Sequence, residues 1–280
     1  MNASLILAGA RGLYYGALLS LFGNLAFSLL LRAKLPIVLP PNDNALRWGA
    51  LALALASGIV WLAAAAGQMA GTLSWDALTA TLTATLFGQL FVARTIALVG
   101  LALALLLRRG AKPALLLTAV ALVLPAMTSH AAASSPAGFT LLGAALDAVH
   151  LLTAGFWIGG LVVLAMLFHR QEPNMPLALS LFSEFAMIAV LLLVMTGLIN
   201  AASILLGDKG APSPPYLLVL GAKLILVAVM LGLAIFNRFR LMPIGDDNGI
   251  ARNAAWELGL GLIVVLLAGG LGQLPPTLQG

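Results

Sequence analysis

Residues 140–168 read TLLGAALDAVHLLTAGFWIGGLVVLAMLF, an apolar run whose ionisable side chains are Asp147 and His150. A hydrocarbon core of about 30 Å is crossed by about 20 apolar residues in a helix, so this stretch is long enough to span a bilayer. Working outward, runs of the same kind occupy residues 12–31, 48–70, 87–107, 113–129, 179–206, 216–237 and 254–273. The breaks between them carry turn chemistry, as in LPPNDN at 39–44 and PSPP at 212–215. The expected fold is therefore all-α: a polytopic membrane protein, a bundle of eight transmembrane helices. Residues 71–86 lack a span. They hold Ser74-Trp75-Asp76 as a helix N-cap, then Leu78, Leu82 and Leu86 at one face and threonines at the other. That pattern predicts a short periplasmic interfacial helix.

Composition agrees. Of 280 residues, 62% are hydrophobic and 8% charged, whereas a soluble domain has about 45–50% apolar and about 25% charged residues. No soluble core of this length hides so much apolar surface. Disordered, coiled-coil and nucleic-acid-binding classes are excluded with it. The net charge of +5 comes from only 14 basic and 9 acidic residues. With no cysteine, the chain has no disulfide, thiolate metal site or iron–sulfur cluster. No Walker loop, zincin pair or nucleophile elbow is present, so no hydrolytic or phosphoryl-transfer activity is expected, and the chain is read as a non-enzyme.

Orientation follows from where the basic residues fall. Arg32, Lys34, Arg47, Arg108, Arg109, Lys112, Arg170, Arg238, Arg240 and Arg252 share one set of loops. The opposite loops hold Arg11 and Lys209, and Arg94 and Lys223 lie inside spans near their outer ends, from where long side chains snorkel. Positive-inside bias puts the first set in the cytoplasm and both termini outside. The first run is too long for a signal-peptide core, and its basic residues follow it, so it reads as a retained helix. Residues 1–280 form a single membrane domain in this reading. A faint duplication pairs Ser57-Gly58-Ile59-Val60 with Thr196-Gly197-Leu198-Ile199, and Arg94 and Arg108 with Lys223 and Arg238. It divides the chain into parallel four-helix halves, about 1–135 and 136–280.

An ionisable side chain inside a span is costly and marks function by default. Asp147 and His150 are three residues apart and share a helix face, which Ala154, Trp157 and Leu161 continue. His130 ends the fourth span, with Met127 one turn deeper. Both histidines belong to the outer side. With no cysteine in the chain, any metal must be held by His, Met, Asp/Glu or backbone, and these side chains are the candidates. Asn200, Lys223, Glu184 and Glu257 are further embedded polar groups that together make a route toward the cytoplasm. Glu184 and Glu257 also sit where acids complement a helix dipole.

The segment DAVHLLTAGFWIGGL at 147–161 resembles the signature of the copper resistance D (CopD) membrane family. FSEF at 182–185, TGLINA at 196–201, Tyr216 through Lys223, and NRFRLMP at 237–243 follow in that family's order. So do Arg252, Glu257-Leu258-Gly259 and Pro275-Pro276, with Ser129-His130-Ala131 and residues 88–94 upstream. The resemblance implies a bacterial inner-membrane protein that imports copper supplied from the periplasm, in copper homeostasis and resistance. It implies a separate periplasmic copper-binding partner of the CopC type, beside membrane lipid, and no nucleic acid. The family's copper ligands fall on His130 and His150, with Asp147 and Trp157 beside them. The alternative is a haem-b-binding membrane oxidoreductase, since haem-binding bundles use histidines on facing helices. Three histidines allow one haem at most. A structural protein without ligand leaves Asp147 and His150 unexplained.

Overall fold

The computed structural model describes residues 3–35, 42–128, 140–205, 211–275 and 277. Nine helices are present among them. They are α1 (Ala3–Lys34), α2 (Asn42–Ala70), α3 (Trp75–Ala84), α4 (Leu86–Leu106), α5 (Ala111–Val123), α6 (Thr140–His169), α7 (Met175–Leu205), α8 (Pro214–Phe236) and α9 (Asp247–Leu271). A 3₁₀ turn, Leu124–Thr128, continues α5. A π turn, Asn237–Leu241, and one further turn to Ile244 continue α8.

Seven of these, α1, α2, α4 and α6–α9, are long and apolar enough to cross a membrane, and the protein is an all-α polytopic membrane protein. The expected span at 113–129 is built differently. Its α-helix stops after 13 residues, because Pro125 has no N–H to give the carbonyl four residues back. The 3₁₀ turn then rises about 2.0 Å per residue in place of about 1.5 Å, and the two pieces together reach about 30 Å.

The cap expected at Ser74 is present, and the structure adds two more. Ser74 Oγ accepts from Ala77 N at 3.1 Å and starts α3, and Thr85 Oγ1 accepts from Gly88 N at 2.9 Å and starts α4. Asp246 does the same for Gly249 at the head of α9. In α3 the buried residues are Ala77 and Thr81, one position off the leucine stripe, because its inner face rests on the start of α4. Trp75 stays exposed.

α1 is the hub, packing against α2, α5, α6 and α9. Tyr14, Leu18, Leu21 and Leu25 anchor one core shared with α2, α4 and α5, while Phe27 and Leu31 anchor a second shared with α6–α9. Between the two, α1 and α6 meet backbone to backbone. A Cβ on Gly23 would sit 1.9 Å from the Gly155 carbonyl, and one on Gly159 would sit 2.5 Å from the Gly23 Cα. Gly155 and Gly159 are four apart and face the same way, the small-residue spacing that lets membrane helices approach this closely. Where α2 begins, Asp43, Arg47 and Asn24 close a ring. Arg47 pairs with Asp43 at 2.6 Å, and Asn24 bonds both, at 2.7 and 2.8 Å. Arg47, counted as a loop charge by sequence, is thus a buried clamp between α1 and α2.

The two chain ends share one end of the bundle. Arg11 packs over Gly272 at the C-terminus of α9, where a cation is favoured by the helix dipole, and Pro212 pairs with Thr277.

Candidate functional site

On α6, Asp147 and His150 point the same way, and α7 presents Thr196 and Asn200 four residues apart to meet them. The helices run antiparallel, so the rungs match in reverse order. His150 Nδ1 lies 3.1 Å from Thr196 Oγ1, and Asn200 Nδ2 donates to Asp147 Oδ1. Thr196 Oγ1 itself donates to the Leu192 carbonyl at 2.7 Å, which leaves the hydroxyl oxygen to accept from the ring. Such a bond places the proton on Nδ1 and leaves Nε2 as the basic nitrogen of the ring.

Gly197 makes this geometry available. Its missing side chain leaves the His150 Cε1 at 3.2 Å from where a Cβ would stand. A third wall comes from α8. Lys223 interacts electrostatically with both Asp147 and His150, and Tyr216 with Asp147. Asn200 Oδ1 is buried with no hydrogen-bond partner among the described residues. An imidazole nitrogen, a carboxylate and an open amide oxygen are thus gathered on one side of the bundle, a donor set suited to a cation.

The other expected members are placed unevenly. His130 lies outside the described residues, as does Lys209. Met127 lies in the 3₁₀ turn after α5, is half exposed, and belongs to an element that packs against α6. Among the described residues no three His, Cys, Asp or Glu side chains are close enough to hold a metal by themselves. Trp157 continues the stripe in sequence, but two turns below His150 its indole turns to Glu257. Glu184 is exposed and Glu257 is buried, both near the end of the bundle that holds the π turn.

Sequence reasoning passed over Thr196 and Gly197 as site residues, and Asn237 and Asn253, which attend Glu257. Lone asparagines in apolar helices were the available signal. Arg94 does not snorkel. It is 2% exposed, its guanidinium set over Trp61 at 4.3 Å, Phe91 at 4.5 Å and Tyr14 at 4.8 Å. Ring faces hold the charge where no carboxylate is near.

Two family models match this chain. Residues 1–140 match the copper resistance protein D-like N-terminal domain, and residues 176–271 match copper resistance protein D. The chain belongs to the copper resistance protein D family. A relative named copper resistance protein D, from Pseudomonas syringae pv. tomato, is 30% identical over 153 residues, covering 48% of this chain and 49% of that protein. Another, named copper transport protein CutJ, from Bacillus subtilis (strain 168), is 29% identical over 159 residues, 55% of this chain and 29% of that protein. The matches thus span about half of one relative and under a third of the other. No solved structure matches the chain. Within the family's second matched region, α7 supplies Thr196, Gly197 and Asn200, α8 supplies Lys223, and α9 supplies Glu257. His150 falls between the two matched regions.

Proposed function

We propose that this family member moves copper across the bacterial inner membrane, accepting it on the periplasmic side and passing it toward the cytoplasm. His130, His150 and Met127 are the ligands in this reading, with Asp147 beside them in support; Trp157, two turns below, gives its indole to Glu257. The observation that carries it is His150, an imidazole inside an apolar bundle with one nitrogen held by Thr196 and a bare glycine beneath the ring. Membership in a copper resistance family supports copper as the cargo, as Cu(I) or Cu(II). Asn200 and Lys223 adjoin the outer site, and Glu184 and Glu257 lie in the inner half, so the four continue a polar route inward. A separate small periplasmic copper-binding protein of the CopC type is the donor. In cells expressing the chain, cytoplasmic copper should rise, and purified protein should carry copper without a haem absorption band. Less copper in expressing cells, or an intense Soret band, overturns the reading.

The orientation proposed with it has eight crossings, counting the α5 segment, and both termini in the periplasm. Nine basic residues on one set of loops and helix ends, with Arg47 buried between α1 and α2, against Arg11 and Lys209 on the other support it. Reporter fusions after Arg109 and after Ser134 should read cytoplasm and periplasm respectively; the reverse result discards this topology.

We also propose that the single membrane domain consists of two related halves, about 1–135 and 136–280. Supporting this, α1 packs on α2 and α5 as α6 packs on α7 and α9, and α4 pairs with α5 as α8 pairs with α9. Ser57 and Thr196 each bond the carbonyl four residues back. Gly58 underlies the Tyr14 ring at 3.3 Å much as Gly197 underlies His150 at 3.2 Å.

A further inference from the structure

Glu257 brings a carboxylate into the apolar inner half of the bundle, 2% exposed. Asn237 Nδ2 donates to its Oε1 at 2.9 Å, and the Trp157 indole bonds the same carboxylate. Asn253 holds Asn237 in place, donating to its Oδ1 at 2.8 Å. Asn237 opens the π turn of α8, a local widening of the helix that recurs at functional sites. Beside the carboxylate is a cavity of about 270 Å³, walled mainly by apolar groups such as Leu161, Phe182 and Leu231. It shares Arg238, Phe239 and Met242 with a second cavity that also touches Ser180 and Glu184.

A carboxylate this deep in apolar surroundings is costly as a bare anion, so it meets a cation or takes up a proton. No ion pair to Glu257 exists among the described residues; the salt bridge there is Asp43–Arg47. The charged group nearest in the walls is Arg238 of α8, which donates to Ser183. From α7, Glu184 lies across the shared wall. From α1 and α6 the surrounding core presents Phe27, Leu31, Leu161 and Leu164, all uncharged. A metal ion would need further ligands, and the two thioethers on the wall, Met187 and Met242, are joined by no second acid and no histidine. A proton needs none.

We propose that Glu257 is a proton-exchange site, holding a proton in the apolar cavity and trading it with water at the Arg238 end. The site stands on its own geometry. Its use rests on the copper-transport reading: a proton taken up at Glu257 from water at the Arg238 end and moved outward along the proposed polar route balances the charge of a copper cation moving inward.

Infrared spectroscopy of the full chain in lipid nanodiscs tests the site without copper. At neutral pH the wild type should show a protonated-carboxyl C=O band that Glu257→Gln removes. Trp157→Phe, which keeps the carboxyl and deletes a donor, should shift that band, so the assignment survives if Glu257→Gln fails to fold. A carboxyl region unchanged in both variants overturns the site. In vesicles containing the protein, protons moved per copper should fall several-fold in Glu257→Gln, and an unchanged ratio overturns the coupling. Wild-type protein that moves no copper but shows the band refutes the transport reading and leaves the proton site standing.

Discussion

His150→Ala should abolish copper binding and copper uptake while the protein still folds. The ring sits on Gly197 and bonds Thr196 through a single nitrogen, so its removal leaves Thr196 bonded to its own helix and disturbs little else. Loss of a ligand from a site of few ligands costs roughly a hundred-fold or more in affinity, whereas groups that hold a ligand are worth about 10–100-fold. Asp147→Asn therefore weakens copper binding within that smaller range without erasing it. Met127→Leu weakens Cu(I) more than Cu(II), because thioether favours the softer ion. Isothermal titration of purified protein with each ion, paired with cellular copper content, reads all three. Wild-type binding and uptake in a His130→Ala, His150→Ala double variant would sink the site.

The largest effect on stability is expected at the α1–α6 crossing. Gly159→Leu or Gly23→Leu drives carbon atoms into backbone that a Cβ alone would already overlap. Overpacking of an ordinary core costs about 1–3 kcal/mol. Here the opposing atoms are main chain and have no rotamer to change, so the helices must part. Folded yield and thermal stability, read by fluorescence-detected size-exclusion chromatography, should drop several-fold relative to Gly232→Ala, where nothing lies within 4 Å. Because α1 carries both cores, separation here unseats the outer site as well. A Gly159→Leu variant with wild-type stability would mean the helices do not cross at these glycines.

The glycine crossing also shows where sequence reading stops. The apolar runs, the cap at Ser74, and the placement of most basic residues at the ends of the runs are local properties. A span needs only its own residues to be apolar and long, and a cap needs only the next three amides. Those features were legible without coordinates, as were Asp147 and His150 on one face, since three residues apart on a helix is a shared face.

Which helix meets which, and at what height, is not local. Every helix here is apolar nearly all round, so periodicity does not say which stripe faces a neighbour. Only the tertiary structure put Thr196 under His150, Asn200 on Asp147, and Trp157 against Glu257 in place of the outer site. It likewise set Arg94 among aromatic rings, where length and position alone suggested a snorkelling cation. Pro125 shortened the fifth helix and a 3₁₀ turn recovered its reach. The amino-acid sequence by itself determined that this chain lives in a membrane and where its helices lie. The pairing of its few polar groups came from interhelical register, which joins His150 to Thr196 and Asp147 to Asn200 across residues 46 and 53 positions apart.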